Sequence, residues 1–218
     1  MGAALVLATT LAAGIAAADV TVNTTADSDA DDLQCSLREA IVAANTNADH
    51  QGCTRTAATV DKITFDLGMG TPVITVTGSN LPSMTEPTEI DGATGGATRV
   101  AILSGGDRSR GLSFGGNPTG SSIKNLVVSG FTTSEILLSN GSSMVVTGNW
   151  LGLDVTGTSL VAGSGQGIEI CEGFGCGTSA GHQIGGASAA LRNVIVGDPA
   201  RRSPSPRGAT SSRATTST

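Results

Sequence analysis

Few residues in this sequence have side chains that could carry chemistry. Only 14% of the 218 residues are charged, against about 25% in an average soluble domain. Cleavage of a glycosidic bond needs two carboxyl groups about 5–9.5 Å apart, and the candidate acids are scattered along the chain. The acids are Asp66, Asp91, Asp107 and Asp154, and two basic residues near them are Arg108 and Arg110. The sequence therefore leaves the catalytic residues unknown.

Acidic residues alternate in the segment 27–32, Asp-Ser-Asp-Ala-Asp-Asp, as they do in the first half of a Ca²⁺-binding loop. Asp32 occupies the sixth position, where such a loop needs Gly, and Arg38 occupies the twelfth, where it needs Glu. These two departures exclude an EF-hand. A looser surface Ca²⁺ site and a solvated acidic loop both stay open, and no other cofactor is expected.

Four cysteines, Cys35, Cys53, Cys171 and Cys176, allow three disulfide pairings. Cys35–Cys53 and Cys171–Cys176 would each close a short local loop, and this pairing is favoured. Neither His50 nor His182 completes a metal-binding pattern with a cysteine pair. We therefore expect structural disulfides and no metal site, and we expect His182 to be exposed in a turn.

A short helix is predicted directly after Cys35. Ser36 is a good N-cap and Glu39 lies three residues later, which is the capping-box spacing. Apolar residues then recur at helical spacing over 37–45. Arg38 and Glu39 could also form a catalytic pair, but the capping geometry already explains Glu39.

Beyond the helix, short apolar groups alternate with Gly, Asn and Ser, which predicts an all-β fold. Gly is 31 of 218 residues, aromatic residues are 2%, and the net charge is −6. The negative charge argues against nucleic-acid binding. Near-copies at 127–130, 145–148 and 194–197 favour a parallel β-helix, with spacings that would span one turn and two longer turns. A β-sandwich is the alternative.

Four segments are predicted along the chain. Residues 1–18 form an uncharged stretch that ends in Ala16-Ala17-Ala18, which is the pattern of a cleaved signal peptide. The stretch is too short to span a membrane. Residues 19–62 form an N-terminal cap segment, and 63–198 form the β-helix. Residues 199–218 have four Arg and no Val, Ile, Leu or Phe, which predicts a disordered tail. We expect the β-helix to be incomplete, as in a fragment of a longer protein.

The hexapeptide Cys35-Ser36-Leu37-Arg38-Glu39-Ala40 resembles the one that names the CSLREA family of secreted bacterial and archaeal proteins. Gly148-Asn149-Trp150, Ile184-Gly185-Gly186 and Arg192-Asn193-Val194-Ile195 resemble the repeats that often follow it. The resemblance covers about residues 19–198. It implies a right-handed parallel β-helix of the pectate-lyase-like type, with the hexapeptide at its N-terminal end. It supplies no catalytic residues.

Two functions follow as expectations. The favoured one is a noncatalytic secreted or cell-surface β-helix, acting as a structural or adhesion module. The alternative is a polysaccharide lyase or glycoside hydrolase, which rests on fold analogy alone. Expected partners are glycans or cell-surface components. Nucleic acid and a transmembrane span are not expected, and the oligomeric state is not defined by the sequence.

Overall fold

The structure, a computed structural model, describes residues 18–56, 60–171 and 179–197. It is predominantly β, with parallel sheets and one α-helix among the described residues. The elements in chain order are β1 (Ala18–Val22), α1 (Leu37–Thr46), β2 (Asp61–Phe65), β3 (Val73–Val76), β4 (Thr88–Asp91), β5 (Val100–Ser104), β6 (Arg110–Phe114), β7 (Ser122–Lys124), β8 (Leu126–Ser129), β9 (Ser134–Leu138), β10 (Gly141–Ser142), β11 (Val145–Thr147), β12 (Trp150–Leu151), β13 (Gln166–Ile170), β14 (Ser179–Ala180), β15 (Gln183–Ile184), a 3₁₀ turn (Ala189–Leu191) and β16 (Val194–Ile195).

Three sheets share these strands. Sheet 1 has the order β1-β2-β4-β7-β11-β15, sheet 2 the order β16-β12-β8-β5-β3, and sheet 3 the order β13-β9-β6. Strands β10 and β14 form a separate parallel pair. From β4 onward, strands of sheets 1, 2 and 3 follow one another along the chain, so strands that pair are separated by other strands in the sequence.

Aliphatic residues lie opposite one another at matching positions of the paired strands. One ladder in sheet 1 contains Val20, Ile63, Ile90, Ile123, Val146 and Ile184. The equivalent ladder in sheet 2 contains Ile74, Ile102, Val128, Leu151 and Ile195. All but the last member of each ladder are buried. The buried ladder residues belong to the hydrophobic core cluster. Burial of each such side chain contributes about 1.5–3 kcal/mol to the stability of the fold.

The corner between sheets 1 and 2 is held by asparagine. Asn149 accepts the Leu126 N–H at 3.0 Å and donates to the Ile123 carbonyl at 2.9 Å. Asn193 repeats both contacts on the next strands, because it accepts the Asn149 N–H at 3.0 Å and donates to the Val146 carbonyl at 2.7 Å. Each side chain satisfies backbone groups that the corner leaves outside the strand ladder.

The structure corrects the interpretation of the three near-copies. Residues 127–130 and 194–197 begin in sheet 2, whereas 145–148 begin in sheet 1. Val127 is aligned with Trp150, and Trp150 with Val194, so 145–148 is not the next member of that stack. The inference of one turn per 18 residues was therefore wrong. The apolar group 123–128 also divides into β7 and β8, because Asn125 between them has a left-handed backbone with φ 55°.

The N-terminal part of the fold packs against α1, the helix that the capping pattern predicts. Its bounds, Leu37–Thr46, match the expected 37–45 within one residue. Leu37, Ala40 and Ile41 on the helix are buried in the same core cluster as the first ladder residues. The expected Cys35–Cys53 disulfide is present and ties the residue before the N-cap to the loop that follows the helix. Cys176 lies outside the described residues, so the Cys171–Cys176 pairing stays a prediction.

Replacing Cys35 and Cys53 together by Ser should lower the free energy of unfolding by about 3 kcal/mol, because a loop of this size restricts the unfolded chain by that amount. Urea unfolding of the oxidised chain and the double variant measures the difference. Cys171 and Cys176 stay unchanged in both proteins, which controls for the second pair. Equal midpoints with equal slopes would show that the disulfide does not hold this end together.

Candidate functional site

The capping box of α1 is complete and buried. The Ser36 hydroxyl accepts the Glu39 N–H at 3.2 Å, and the Glu39 carboxylate accepts the Ser36 N–H at 2.8 Å. The other Glu39 oxygen accepts the Ala30 N–H at 2.7 Å, while the Ser36 hydroxyl donates to the Ser28 carbonyl at 2.6 Å. These four bonds fix the loop before the helix onto its first turn.

Arg38 joins that loop to the turn after β3. Its guanidinium donates to both oxygens of Asp27, at 2.9 and 3.1 Å, in a two-point contact. The same group donates to the carbonyls of Ser79 at 2.8 Å and Asn80 at 3.0 Å. The side chain of Asp27 is almost fully buried and also accepts the N–H groups of residues 77 and 78. We call Asp27, Arg38 and the turn 77–80 the N-terminal clamp.

The contacts of Arg38 and Glu39, two residues of the hexapeptide, hold neighbouring parts of the fold together. Arg38 and Glu39 are adjacent in the sequence, yet each binds a different partner: Arg38 binds Asp27, and Glu39 binds backbone N–H groups. Both oxygens of each carboxylate accept hydrogen bonds from the protein. No proton transfer between Arg38 and Glu39 is supported by this arrangement.

The acidic segment 27–32 is not gathered around a common point. Asp27 faces Arg38, Asp29 lies 2.9 Å from the His50 ring nitrogen, and Asp32 caps the Gln34 N–H at 3.0 Å. In the parts of the chain that the structure describes, no group of three or more His, Cys, Asp or Glu side chains could hold a metal ion. The geometry therefore gives no support to the Ca²⁺ site that the sequence left open.

Two of the scattered acids are used in turns. Asp91 accepts the Ala93 N–H at 3.0 Å and the Asn125 amide at 2.8 Å. Asp154 accepts the N–H groups of Thr158 at 3.0 Å and Ser159 at 3.3 Å. The hydrogen bond from the Thr158 backbone lowers the pKa of Asp154 below its usual value. Both carboxylates therefore close turns, as short acidic side chains commonly do.

The other candidates are not assembled with them. Asp66 is exposed after β2, on the turn toward sheet 2, and Asp107 is exposed on the turn before β6. Arg108 donates to the Thr77 carbonyl at 3.2 Å, and Arg110 opens β6. Asp66 and Asp107 thus lie on turns that leave different sheets.

A Ser–His contact is present that sequence reasoning missed. His182 is half-buried rather than exposed, and its Nε2 lies 2.7 Å from the Ser179 hydroxyl. Its Nδ1 accepts the Met144 N–H at 3.3 Å, so the neutral ring carries its proton on Nε2. That nitrogen cannot then accept the serine proton, and the pair does not have the geometry of an activated nucleophile. The sequence gave no signal for this contact, because Ser179 is aligned by pairing with Gly141 and the His182 ring by the Met144 N–H.

Trp150, the single tryptophan, is not an open platform for a sugar ring. The Arg99 guanidinium lies 4.3 Å from the ring centroid, a cation–π contact. A Cβ placed on Gly157 would lie 2.6–2.9 Å from three adjacent ring carbons, so the Gly157 backbone packs on the ring face. The indole therefore fastens the loop after β12 to the outside of sheet 2.

Among the acids that the structure describes, Glu135 has a pKa raised far above its usual value, and it was not a sequence candidate. It lies in β9, fully buried, and its carboxylate accepts the Phe131 N–H at 3.4 Å. Its second oxygen has no hydrogen-bond partner. Burial raises the pKa of Glu135 to about 8, against weaker opposing hydrogen bonds from Ser164, Phe131 and Gly130. The group is therefore mostly protonated at neutral pH.

A shallow depression of about 360 Å³ lies beside β1. It is lined by Asp19, Thr21, Asn23, Cys35, Gly52, Thr54, Arg55 and Thr56. The Asn23 side chain accepts the Cys35 N–H at 2.8 Å, and Arg55 pairs with Asp61. The first contact joins the end of β1 to the residue before the N-cap, and the second joins the loop after α1 to β2. The Asp19 N–H also donates to the Thr56 hydroxyl at 3.1 Å, which holds β1 to that loop.

Comparison of the chain with protein-family models, curated proteins and solved structures gave no match. Of the helices in the described ranges, none is long and apolar enough to cross a membrane.

Asp27→Asn should lower the free energy of unfolding by about 3 kcal/mol, because it removes the charge of an almost fully buried carboxylate that pairs with the partly buried Arg38. Asp31→Asn, an exposed acid in the same loop, is the matched control and should change stability by less than about 0.5 kcal/mol. Urea unfolding at neutral pH measures both. Equal effects of the two variants would contradict the role assigned to the clamp.

Glu135→Gln should make the protein more stable at alkaline pH and alter its pH dependence. The folded pKa lies above the unfolded value, so the folded state holds the proton more tightly and wild-type stability falls as pH rises from about 4.5 to about 8. Between pH 4.5 and pH 7 this linkage should lower the free energy of unfolding of the wild type by about 3 kcal/mol.

Urea unfolding between pH 4 and pH 9 tests this sign. Glu135→Gln should flatten the curve, whereas Glu86→Gln, at a half-buried glutamate outside the strands, should not. A wild-type stability that rises over this interval and is unaffected by Glu135→Gln would refute the assignment.

Proposed function

We propose that this chain forms a right-handed parallel β-helix, closed at its N-terminal end by α1, that acts outside the cell as a noncatalytic structural or adhesion module. The observation that carries the proposal is the sheet 1 ladder, in which six aliphatic residues keep one register through six parallel strands. In a solenoid, the chain returns to the same sheet after passing through the others, and each strand pairs in parallel with the one from the previous turn. Right-handed crossovers are the rule for such connections.

The contacts of the polar side chains support a structural role. Asp27, Glu39, Asp91 and Asp154 each accept hydrogen bonds that hold a turn or a helix end. Trp150 is covered by Arg99 and Gly157. These contacts favour a rigid scaffold over the polysaccharide lyase or hydrolase that fold analogy offers. A glycan or another cell-surface component remains the partner that we propose for its outer surface.

Export is supported by three features. The uncharged segment 1–18 has the pattern of a signal peptide, and all of it but Ala18 lies outside the described residues. The buried Cys35–Cys53 disulfide is of the kind that forms and persists in oxidising compartments. The resemblance of residues 35–40 to the CSLREA hexapeptide points in the same direction.

The export proposal predicts a mature chain that begins at Asp19. Expression of the full chain in a bacterium, followed by fractionation and intact-mass measurement, should find the processed, oxidised protein outside the cytoplasm. Replacing Ala16 and Ala18 by Arg should block processing, because cleavage needs small residues at these positions. Ala17→Arg, between them, is the matched control and should still be processed. Unprocessed cytoplasmic protein from the wild-type gene would contradict export.

The noncatalytic proposal is tested on the same purified protein. Acidic and neutral polysaccharides should show no new reducing ends and no absorbance from unsaturated uronate. Turnover that disappears in Asp91→Asn or Asp154→Asn, with the fold retained, would overturn the proposal in favour of an enzyme.

A further inference from the structure

A row of three polar side chains crosses sheet 3 at the start of its strands. Arg110, Ser134 and Gln166 are aligned with one another in the register of β6, β9 and β13. Neighbouring strands lie about 4.8 Å apart, so the row is about 10 Å long. Among the residues that the structure describes, none offers a hydrogen bond or an ion pair to any of these three side chains. We call them the sheet 3 row.

Polar side chains at matching positions of sheet 1 are used differently. The hydroxyls of Thr21 and Thr64 lie 3.1 Å apart on β1 and β2. On the next strands, Lys62 and Lys124 both pair with Glu89, at 3.8 and 3.3 Å. Sheet 1 therefore satisfies its aligned polar groups within the protein, whereas the sheet 3 row leaves its groups available to a ligand.

Arg110 is the strongest hydrogen-bond donor in the row. Its half-buried guanidinium carries five N–H donors. Its Nε is buried without a partner, whereas its terminal nitrogens, Nη1 and Nη2, face solvent. The hydroxyl of Ser134, next in the row, is also buried without a partner. A guanidinium binds best to a group that presents two anionic oxygens in one plane, such as a carboxylate or a sulfate.

The backbone beside the row is fixed by contacts between successive passes of the chain. The Gln166 N–H donates to the Thr133 carbonyl at 2.8 Å, and the Thr133 N–H donates to the Ser109 carbonyl at 2.8 Å. Asn80 and Ser109 exchange two further hydrogen bonds, at 2.8 and 3.1 Å. The row is therefore held in place before a ligand arrives, which lowers the entropic cost of binding.

The charge around the row is positive, although the whole chain has a net charge of −6. Arg108 and Arg110 stand two residues apart, and Asp107 is the acid on the same turn. The N-terminal clamp at the same corner contributes one charge of each sign. Glu135, next to Ser134, is buried and mostly protonated at neutral pH. The local surplus of one positive charge favours an anionic ligand.

Charges farther from the row do not reverse this balance. Glu169 lies toward the opposite end of β13, three residues beyond Gln166. The segments 172–178 and 198–218, which lie outside the described residues, contain two acids and four arginines in their sequence. Their summed side-chain charge is therefore positive, and they add no negative surplus wherever they lie.

The composition of the surrounding residues indicates the class of ligand. Residues 108–110, 132–134 and 165–166 are Arg, Ser, Thr, Gly or Gln, and none has an apolar side chain. Protein interfaces have an apolar core, and membrane binding needs apolar side chains to enter the lipid. Hydroxyl, amide and guanidinium groups instead suit a ligand rich in hydroxyls and anionic oxygens.

We propose that the sheet 3 row binds an anionic glycan, with a carboxylate or sulfate group of the glycan held by the Arg110 guanidinium in a two-point contact. Gln166, at the other end of the row, donates to or accepts from the sugar hydroxyls. The proposal rests on the proposed function, because it names the partner of the extracellular module and where that partner lies. The step is binding alone, and no covalent bond of the glycan is broken.

Isothermal titration of the purified, processed chain at about 0.15 M NaCl tests the proposal with three polymers. These are alginate, which carries carboxylates, dextran sulfate, which carries sulfates, and uncharged dextran. At least one anionic polymer should bind, and the difference between the two identifies the anionic group. Dextran should not bind.

Arg110→Gln should weaken this binding at least about tenfold, because it removes the charge and the two-point contact. Arg192→Gln is the matched control. It makes the same change of charge at an exposed arginine after the 3₁₀ turn, away from sheet 3, and it should bind as the wild type does. Circular dichroism and urea unfolding establish that both variants are folded.

Three results would overturn the glycan site. These are no binding of either anionic polymer, equal binding of dextran, or equal weakening by the two variants, which would indicate attraction to net charge alone. An exported, folded chain that binds none of the polymers and cleaves none would refute the site and leave the proposed function standing. Release of new chain ends from a bound polymer would overturn the noncatalytic function instead.

Discussion

Strand register is the constraint on which the rest of this structure depends. In a parallel ladder the side chains alternate faces with a period of two, so a shift by one residue would move Ile90 or Ile123 out of the core. The corners must therefore turn the chain by a fixed amount in every pass. Asn149 and Asn193 do this with identical contacts to the preceding strands. Gly92 serves the same end, since a Cβ there would lie 2.2 Å from the Asn125 carbonyl oxygen.

A stacked core creates a second requirement, because its first layer has no preceding layer to bury it. Residues 35–40 meet that requirement together. Cys35 anchors the start of α1, Ser36 and Glu39 close its first turn, and Arg38 reaches across to the turn 77–80. The apolar members of the hexapeptide, Leu37 and Ala40, are buried in the core cluster. The hexapeptide therefore helps to bury the first residues of the core ladders.

Local features of the fold could be predicted from the sequence, whereas the alignment of the strands with one another could not. The helix, its cap and the Cys35–Cys53 bridge depend on residues close in the chain, and they are where the spacing predicts them. Most apolar groups became strands because their periodicity is local too. The alignment of 145–148 with 127–130 failed because similar tetrapeptides occur in different sheets. Strand β1 was not anticipated, since Ala18–Val22 becomes a strand only by pairing with β2.

The candidate site was less predictable than the fold, for the same reason. No local pattern distinguishes Asp27, which binds Arg38, from Asp31, which is exposed. Glu135 reads as an ordinary strand acid, and only the packing of β9 against its neighbours makes it buried. The half-buried position of His182 likewise depends on a distant residue, because its Nδ1 accepts the N–H of Met144. Such properties are set by contacts between residues that are distant in the chain, and a single sequence does not show which distant residues are in contact.

The hydrogen bonds of the acidic side chains bear on the proposal that this chain is a scaffold. A carboxyl group acts in acid–base chemistry only where an oxygen can reach the substrate. Asp91 and Asp154 each use Oδ1 to close a turn, and Glu39 uses both of its oxygens on backbone N–H groups. Glu135 retains an oxygen without a partner, but it is fully buried and so lies beyond the reach of a substrate in solution. The acids that remain exposed, such as Asp66 and Asp107, lie on separate turns and give the surface its negative charge. The aliphatic residues are instead concentrated in the core, where the strand ladders bury them.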